Sequence, residues 1–166
     1  MRVLYLIRHA KSDWENVEHH DFERPLNTRG RRNAQAMGSW LQQNIETPSL
    51  VLSSPANRAL TTCFLITQQL GYAFADVLFR ARLYESSPAL ALKIIQNVPS
   101  SNVSQMVFGH NEWISALAQS LCNVPLPPMV TCSVVALKFD VENWQNISKE
   151  NVTLLFNHSP ENLGFR

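Results

Sequence analysis

Three short, continuous apolar runs, Val3 to Ile7, Leu50 to Leu52 and Met106 to Phe108, do most to limit what this chain can fold into. An unbroken apolar run of that length fits a strand covered on both faces, because a half-exposed strand would alternate apolar with polar side chains. Helical patterns separate the three runs. From Arg29 to Ile45, Ala34, Met37, Leu41 and Ile45 recur at three- and four-residue spacing, with Thr28 placed to cap the start. Ala59 to Leu70 repeats the pattern and stops at Gly71, the usual residue just past a helix end. Pro88 to Asn97 and Trp113 to Cys122 supply two more helices, and Val134 to Phe139 and Val152 to Phe156 two more strands. Strands alternating with helices of this length predict an α/β fold, a three-layer α/β/α sandwich around a mostly parallel central sheet.

The chain has 166 residues, the size of one ordinary domain, and shows no repeat, low-complexity tract or linker, so residues 1–166 are expected to form one unit. Apolar residues make up 45% and charged residues 16%, a balance far from that of disordered chains. Lys and Arg total 14 against 13 for Asp and Glu, which leaves no net basic field to hold nucleic acid or an anionic membrane. The opening run up to Ile7 is too short for a signal-peptide core and leads into Arg8 and His9 without a small-residue cleavage site. No stretch approaches the roughly 20 apolar residues of a membrane helix. A cytoplasmic location is the expectation, and the sequons at Asn102, Asn146 and Asn151 then carry no meaning. Cys63, Cys122 and Cys132 lack C-x-x-C spacing and lie among apolar neighbours, so they read as buried free thiols.

Ligands of open α/β sheets bind beyond the carboxyl ends of the strands. Arg8-His9 follows the first strand directly, Arg58 follows the second after Ser53-Ser54-Pro55, and Gly109-His110-Asn111 ends the strand from Met106. A single histidine after a strand is commonly a capping residue, and a single arginine in a loop a surface charge. Two guanidiniums and two imidazoles delivered to one rim are different, because clustered cations repel unless an anion joins them. Arginine's planar donor fork matches phosphate oxygens, which makes phosphate the expected ligand.

The run Arg8-His9-Ala10-Lys11-Ser12-Asp13-Trp14 resembles the opening signature of the histidine phosphatase superfamily, also called phosphoglycerate mutase-like. Ser53-Ser54-Pro55-Ala56-Asn57-Arg58-Ala59 with Thr62 is similar to its second motif, and Gly109-His110-Asn111 to its third. Between them, Arg24-Pro25-Leu26-Asn27-Thr28-Arg29-Gly30 matches the loop leading into the first helix. Within the superfamily the chain most resembles the SixA-type phosphohistidine phosphatases, which are similarly short and carry Arg-Pro-Leu after the first motif. Pro127-Pro128-Met129, with Thr131 and Ser133, is also similar to that branch.

The resemblance implies a phosphoglycerate mutase-like fold in which His9 attacks phosphorus in line and forms a phosphohistidine that water hydrolyses. Arg8, Arg58 and His110 would spread the charge on the equatorial oxygens, and Arg24 and Ser12 would add phosphate contacts. Glu85 stands where many members place the acid that protonates the leaving group, although a departing imidazole needs such help less than an alkoxide does. No cofactor and no metal are implied, and His19-His20-Asp21 offers adjacent side chains without a third ligand. Mutase-type relatives carry an Asn directly after the residue matching Trp14, where this chain has Glu15, with Asn16 one place further on. One helix uses up most of the stretch between Glu85 and Met106, leaving no room for a lid subdomain. An uncovered site could admit a phosphorylated side chain on another protein, such as a histidine-containing phosphotransfer domain in signalling. The alternatives are a small-molecule phosphomonoesterase, a mutase, and a module that binds phosphorylated partners without turnover.

Overall fold

The protein was analysed as a computed structural model that describes residues 1–14 and 20–165. Six strands form one sheet: β1 (Arg2–Arg8), β2 (Leu50–Ser53), β3 (Leu78–Phe79), β4 (Ser104–Gly109), β5 (Val134–Phe139) and β6 (Val152–His158). Their order is β3-β2-β4-β1-β5-β6. The pairs β2·β3, β2·β4 and β1·β4 are parallel, whereas β5 runs antiparallel to both β1 and β6. Only β5 therefore runs against the rest, in keeping with the mostly parallel sheet the sequence predicts.

Four α-helices complete the three layers: α1 (Thr28–Asn44), α2 (Asn57–Leu70), α3 (Pro88–Gln96) and α4 (Asn111–Leu121). From β1 to β2 and on to β3 the chain winds toward one edge, and from β3 to β4 it turns back. Because parallel crossovers are right-handed, reversing the direction of winding puts the next helix on the opposite face. The buried side chains divide accordingly. Met37 and Leu41 of α1 and Cys63 and Ile66 of α2 pack with Tyr5, Ile7, Val51 and Phe108 on one face. Ala91 and Ile95 of α3 and Ile114 and Leu117 of α4 pack with Leu4, Leu6, Leu52 and Val107 on the other. Successive residues of β1, β2 and β4 thus alternate between two apolar layers, which explains their unbroken apolar runs.

Asn27, not Thr28, caps α1. Its side chain accepts from the Gly30 N–H at 2.8 Å, and its own N–H donates to the Lys11 carbonyl at 3.1 Å, so Thr28 becomes the first helical residue. α2 ends as expected at Gly71, whose φ of 69° is left-handed. Cys63, Cys122 and Cys132 are free and buried. Between Glu85 and β4 the only regular element among the described residues is α3, and no lid is evident there. No helix among the described residues is long and apolar enough to cross a membrane.

Candidate active site

Strands β1, β4 and β2 are parallel neighbours, so their carboxyl ends reach the same edge of the sheet. Arg8 pairs with Gly109 and Ser53 with Phe108, while the His9 N–H donates to the Gly109 carbonyl at 3.0 Å and the Ser54 N–H to Phe108 at 3.1 Å. Helices α2 and α4 start at that edge. Arg58 stands in the first turn of α2 and His110 is the residue before α4, so the positive ends of two helices face the region where both side chains lie. A cleft of about 650 Å³ is bordered there by Arg8, His9, Ser12, Arg24, Arg58, Glu85 and His110. All the residues chosen from the sequence converge on it.

His9 Nδ1 lies 2.7 Å from the Ala10 carbonyl oxygen. A carbonyl only accepts, so Nδ1 carries the proton and Nε2 keeps its lone pair. The Ala10 N–H in turn donates to Thr62 Oγ1 at 2.9 Å, and that hydroxyl donates to the Arg58 carbonyl at 2.7 Å. Thr62, fixed on α2, therefore anchors the residue whose carbonyl sets the tautomer of His9. Burial, with the charges of Arg58 and Arg8 and the nearby His110, pushes the His9 pKa down to about 3, against the opposing bond to Ala10. The two imidazole rings are 5.3 Å apart, and burial and the Arg58 charge push His110 down to about 4. His110 Nε2 meets Ser54 Oγ at 2.8 Å. Near neutral pH both rings are uncharged, and His9 has the protonation state of a nucleophile.

The arginines are held by groups to which the sequence reading gave no role. Arg8 Nη1 donates to the Met129 carbonyl at 2.7 Å, and its backbone N–H to that of Ser133 at 3.1 Å. The N–H of Cys132, a residue at the unusual φ of 64°, reaches the Arg8 and His9 carbonyls. The Pro127-to-Ser133 segment is therefore the strap behind the first motif. On the other side, Asp21 gathers Arg58 and Arg24. Arg58 donates to the Asp21 carbonyl at 2.6 Å and to its Oδ2 at 3.0 Å, Arg24 donates to Oδ1 at 2.8 Å, and the Tyr84 hydroxyl donates to Oδ2 at 2.7 Å. Partial burial works to raise the Asp21 pKa, but the Tyr84 hydrogen bond and the arginine charges outweigh it and hold the carboxyl below its ordinary range. Arg24 also lies 3.5 Å over the Trp14 ring.

Each guanidinium spends outer donors on these anchors. The Nε atoms of Arg8, Arg24 and Arg58, with Nη1 of Arg24, are buried with no partner among the described residues. Leaving such a donor unmade costs about 1–3 kcal/mol. Three guanidiniums and one carboxylate leave two net positive charges, matched to a phosphoryl dianion.

Ser12 is buried and bridged to Leu26, whereas Glu85 is exposed on the rim. Glu15, Asn16 and His19 lie outside the described residues. Asp21, set beside a possible metal pair in the sequence, faces arginines instead. Among the described residues no three His, Cys, Asp or Glu side chains gather as a metal site. Its three-residue spacing from Arg24 is the one signal in the sequence that pointed to this pairing.

A neutral imidazole beside clustered guanidiniums at the carboxyl edge of a parallel sheet is a site suited to phosphoryl-transfer chemistry. The model of the histidine phosphatase superfamily (branch 1) matches residues 4–89, and the chain belongs to that superfamily. An uncharacterized protein of Mycobacterium tuberculosis, Rv1276c, is 32% identical over 136 residues, 80% of each chain. The structure of a provisionally assigned phosphohistidine phosphatase SixA from Nakamurella multipartitia superposes with a TM-score of 0.81 at 25% identity, covering 96% of both chains. The protein histidine phosphatase SixA bound to tungstate shares the fold with a TM-score of 0.80 at 24% identity, covering 97% of this chain and 99% of that one.

Proposed function

We propose that this protein removes the phosphoryl group from phosphohistidine on another protein, through a covalent phosphohistidine at His9 and without a metal. The observation that carries the reading is the Nδ1–H of His9 fixed on the Ala10 carbonyl, which leaves Nε2 as an unprotonated nucleophile beside the arginines. Nε2 attacks phosphorus in line. The P–N bond to the substrate imidazole breaks, and the imidazole leaves with the bonding pair and takes a proton from solvent. Arg8, Arg24, Arg58 and His110 hold the equatorial oxygens, with Ser12 as a further contact. Water then attacks the same phosphorus, releasing inorganic phosphate and restoring neutral His9. Glu85, exposed at the mouth, donates the proton when the leaving group is a poorer one such as an alkoxide.

The open cleft and the likeness to SixA structures support a protein-borne substrate, such as a histidine-containing phosphotransfer domain in the cytoplasm. A second reading, a small-molecule phosphomonoesterase, is supported by Glu85 on the rim and by fold likeness to a mycobacterial glucosyl-3-phosphoglycerate phosphatase, with a TM-score of 0.64 at 18% identity and coverage of 93% and 97%. A module that only recognises phosphate would need the arginines but not a neutral, tautomer-fixed His9. The deciding assay follows phosphate loss, with chelator present, from a phosphohistidine-bearing phosphotransfer domain and from an aryl phosphate. Preference for the protein, lost by about 10³-fold or more in His9→Ala, is the expected result. Turnover of the aryl ester alone would favour the small-molecule enzyme, and binding without turnover of either would overturn both.

A further inference from the structure

Beside the active site, a second cleft of about 590 Å³ lies between α3 and the chain leaving β3. Its apolar wall is built by Leu90, Ile94 and Val98 of α3 and the turn that follows it, with Leu52 of β2 beneath. Arg80, Arg82 and Lys93 border it, all three are exposed, and none forms an ion pair among the described residues. No carboxylate lines it. In a chain whose net charge is only +1, this is a local concentration of unpaired positive charge over an apolar groove.

The two clefts share a wall. Tyr84, Glu85 and Ser86 border the active site, whereas Arg82, two residues before them, and Ser87, directly after them, border the second cleft. Leu83, fully buried, pins that wall to the core. A chain segment lying in the second cleft therefore needs only to cross this short ridge to bring a residue over His9. Six extended residues span about 20 Å, ample for one segment to occupy both.

We propose that the second cleft is a docking groove for an acidic, partly apolar segment of the phosphorylated protein, held by Arg80, Arg82 and Lys93 while its phosphohistidine enters the active site. This rests on the reading that the substrate is a protein. Charge complementarity selects the occupant: carboxylates meet the three cations, and an apolar side chain among them covers Leu90 and Ile94. Exposed charge contacts are individually weak and act mainly on encounter, so the preference is modest and salt-sensitive.

The test uses phosphohistidine peptides flanked by glutamates and leucine, or by glutamines and leucine, with an aryl phosphate as the undocked substrate. The KM is expected to be about tenfold lower for the glutamate peptide at low salt, with kcat alike for the two. The double variant Arg82→Glu with Lys93→Glu should erase that difference and leave aryl phosphate turnover unchanged. Binding of the unphosphorylated glutamate peptide, read by fluorescence anisotropy, separates the groove from the chemistry. If that peptide binds the wild type and not the double variant, the groove stands even where phosphohistidine is not the substrate. Equal binding of the glutamate and glutamine peptides, or binding that survives the charge reversal, overturns the proposal.

Discussion

The tautomer of His9 is fixed by two short contacts through Ala10, its N–H to Thr62 and its carbonyl to Nδ1. Arg24 and Arg58 depend in the same way on Asp21. Its carboxylate takes up an outer donor from each and holds the two guanidiniums side by side at the cleft. Asp21→Asn keeps the size of the side chain but removes the charge that holds two guanidiniums together. Inorganic phosphate is expected to bind about 10- to 100-fold more weakly, because hydrogen bonds to charged groups are worth about 1.5–3 kcal/mol. kcat should fall with it, and Asp21→Glu should recover part of the loss. Calorimetric titration with phosphate checks the first point, and unchanged or tighter binding would show the carboxylate to be a competitor rather than a support. The sequence displayed the arginines but marked this residue only by its three-residue spacing from Arg24, a weak sign in so short a 3-10 turn. His9, Arg58 and His110 were legible because each follows an apolar run that could only be a buried strand.

Among elements, the junction of β4 and α4 is the tightest. Gly109 pairs with Arg8, accepts the His9 N–H and precedes His110. A Cβ placed on Gly109 would stand 1.9 Å from Cζ2 of Trp113, a buried ring at the start of α4. The ring cannot yield as a flexible side chain would, so Gly109→Ala should push α4 away from the sheet and carry His110 with it. A loss of about 1–3 kcal/mol is expected for such overpacking, together with weaker phosphate binding. Thermal unfolding with and without phosphate checks both, and a melting temperature equal to the wild type would place the strain elsewhere. Long buried elements such as β1, β4 and α2 could be read from periodicity to within a few residues. β3 could not, because two residues, one exposed and one half-buried, leave no pattern to read. The start of α1 was ambiguous for a different reason: Asn27 and Thr28 are both capping types, and the choice is made by the Lys11 carbonyl, which receives the Asn27 N–H from a distant segment.

For the molecule as a whole, the active site is costly to keep folded in acid. His9 and His110 are buried as neutral rings, with pKa values pushed down to about 3 and about 4 from the 6.5 of an unfolded histidine. Above 6.5 both rings are neutral in either state, and neither changes the stability with pH. Between 6.5 and the native values the unfolded chain binds protons that the native chain refuses, so acid draws the equilibrium toward unfolding. Each histidine should remove up to about 1.4 kcal/mol per pH unit across that window. Asp21 acts in a separate, lower range: its depressed pKa stabilises the fold above the ordinary carboxylate value, and that contribution fades as pH falls through its native pKa. Urea unfolding at pH values from 7.5 down to 5 isolates the histidines. The wild type should lose stability steeply below about pH 6, and His9→Ala and His110→Ala should each halve the slope, whatever the cavity does to stability at pH 7.5. Saturating phosphate should flatten the slope as well, since a bound dianion favours the protonated rings and offsets the charge of the arginines. Identical slopes in all three proteins would mean that the imidazoles titrate in the native site as they do in the unfolded chain, so that burial does not hold them neutral in acid.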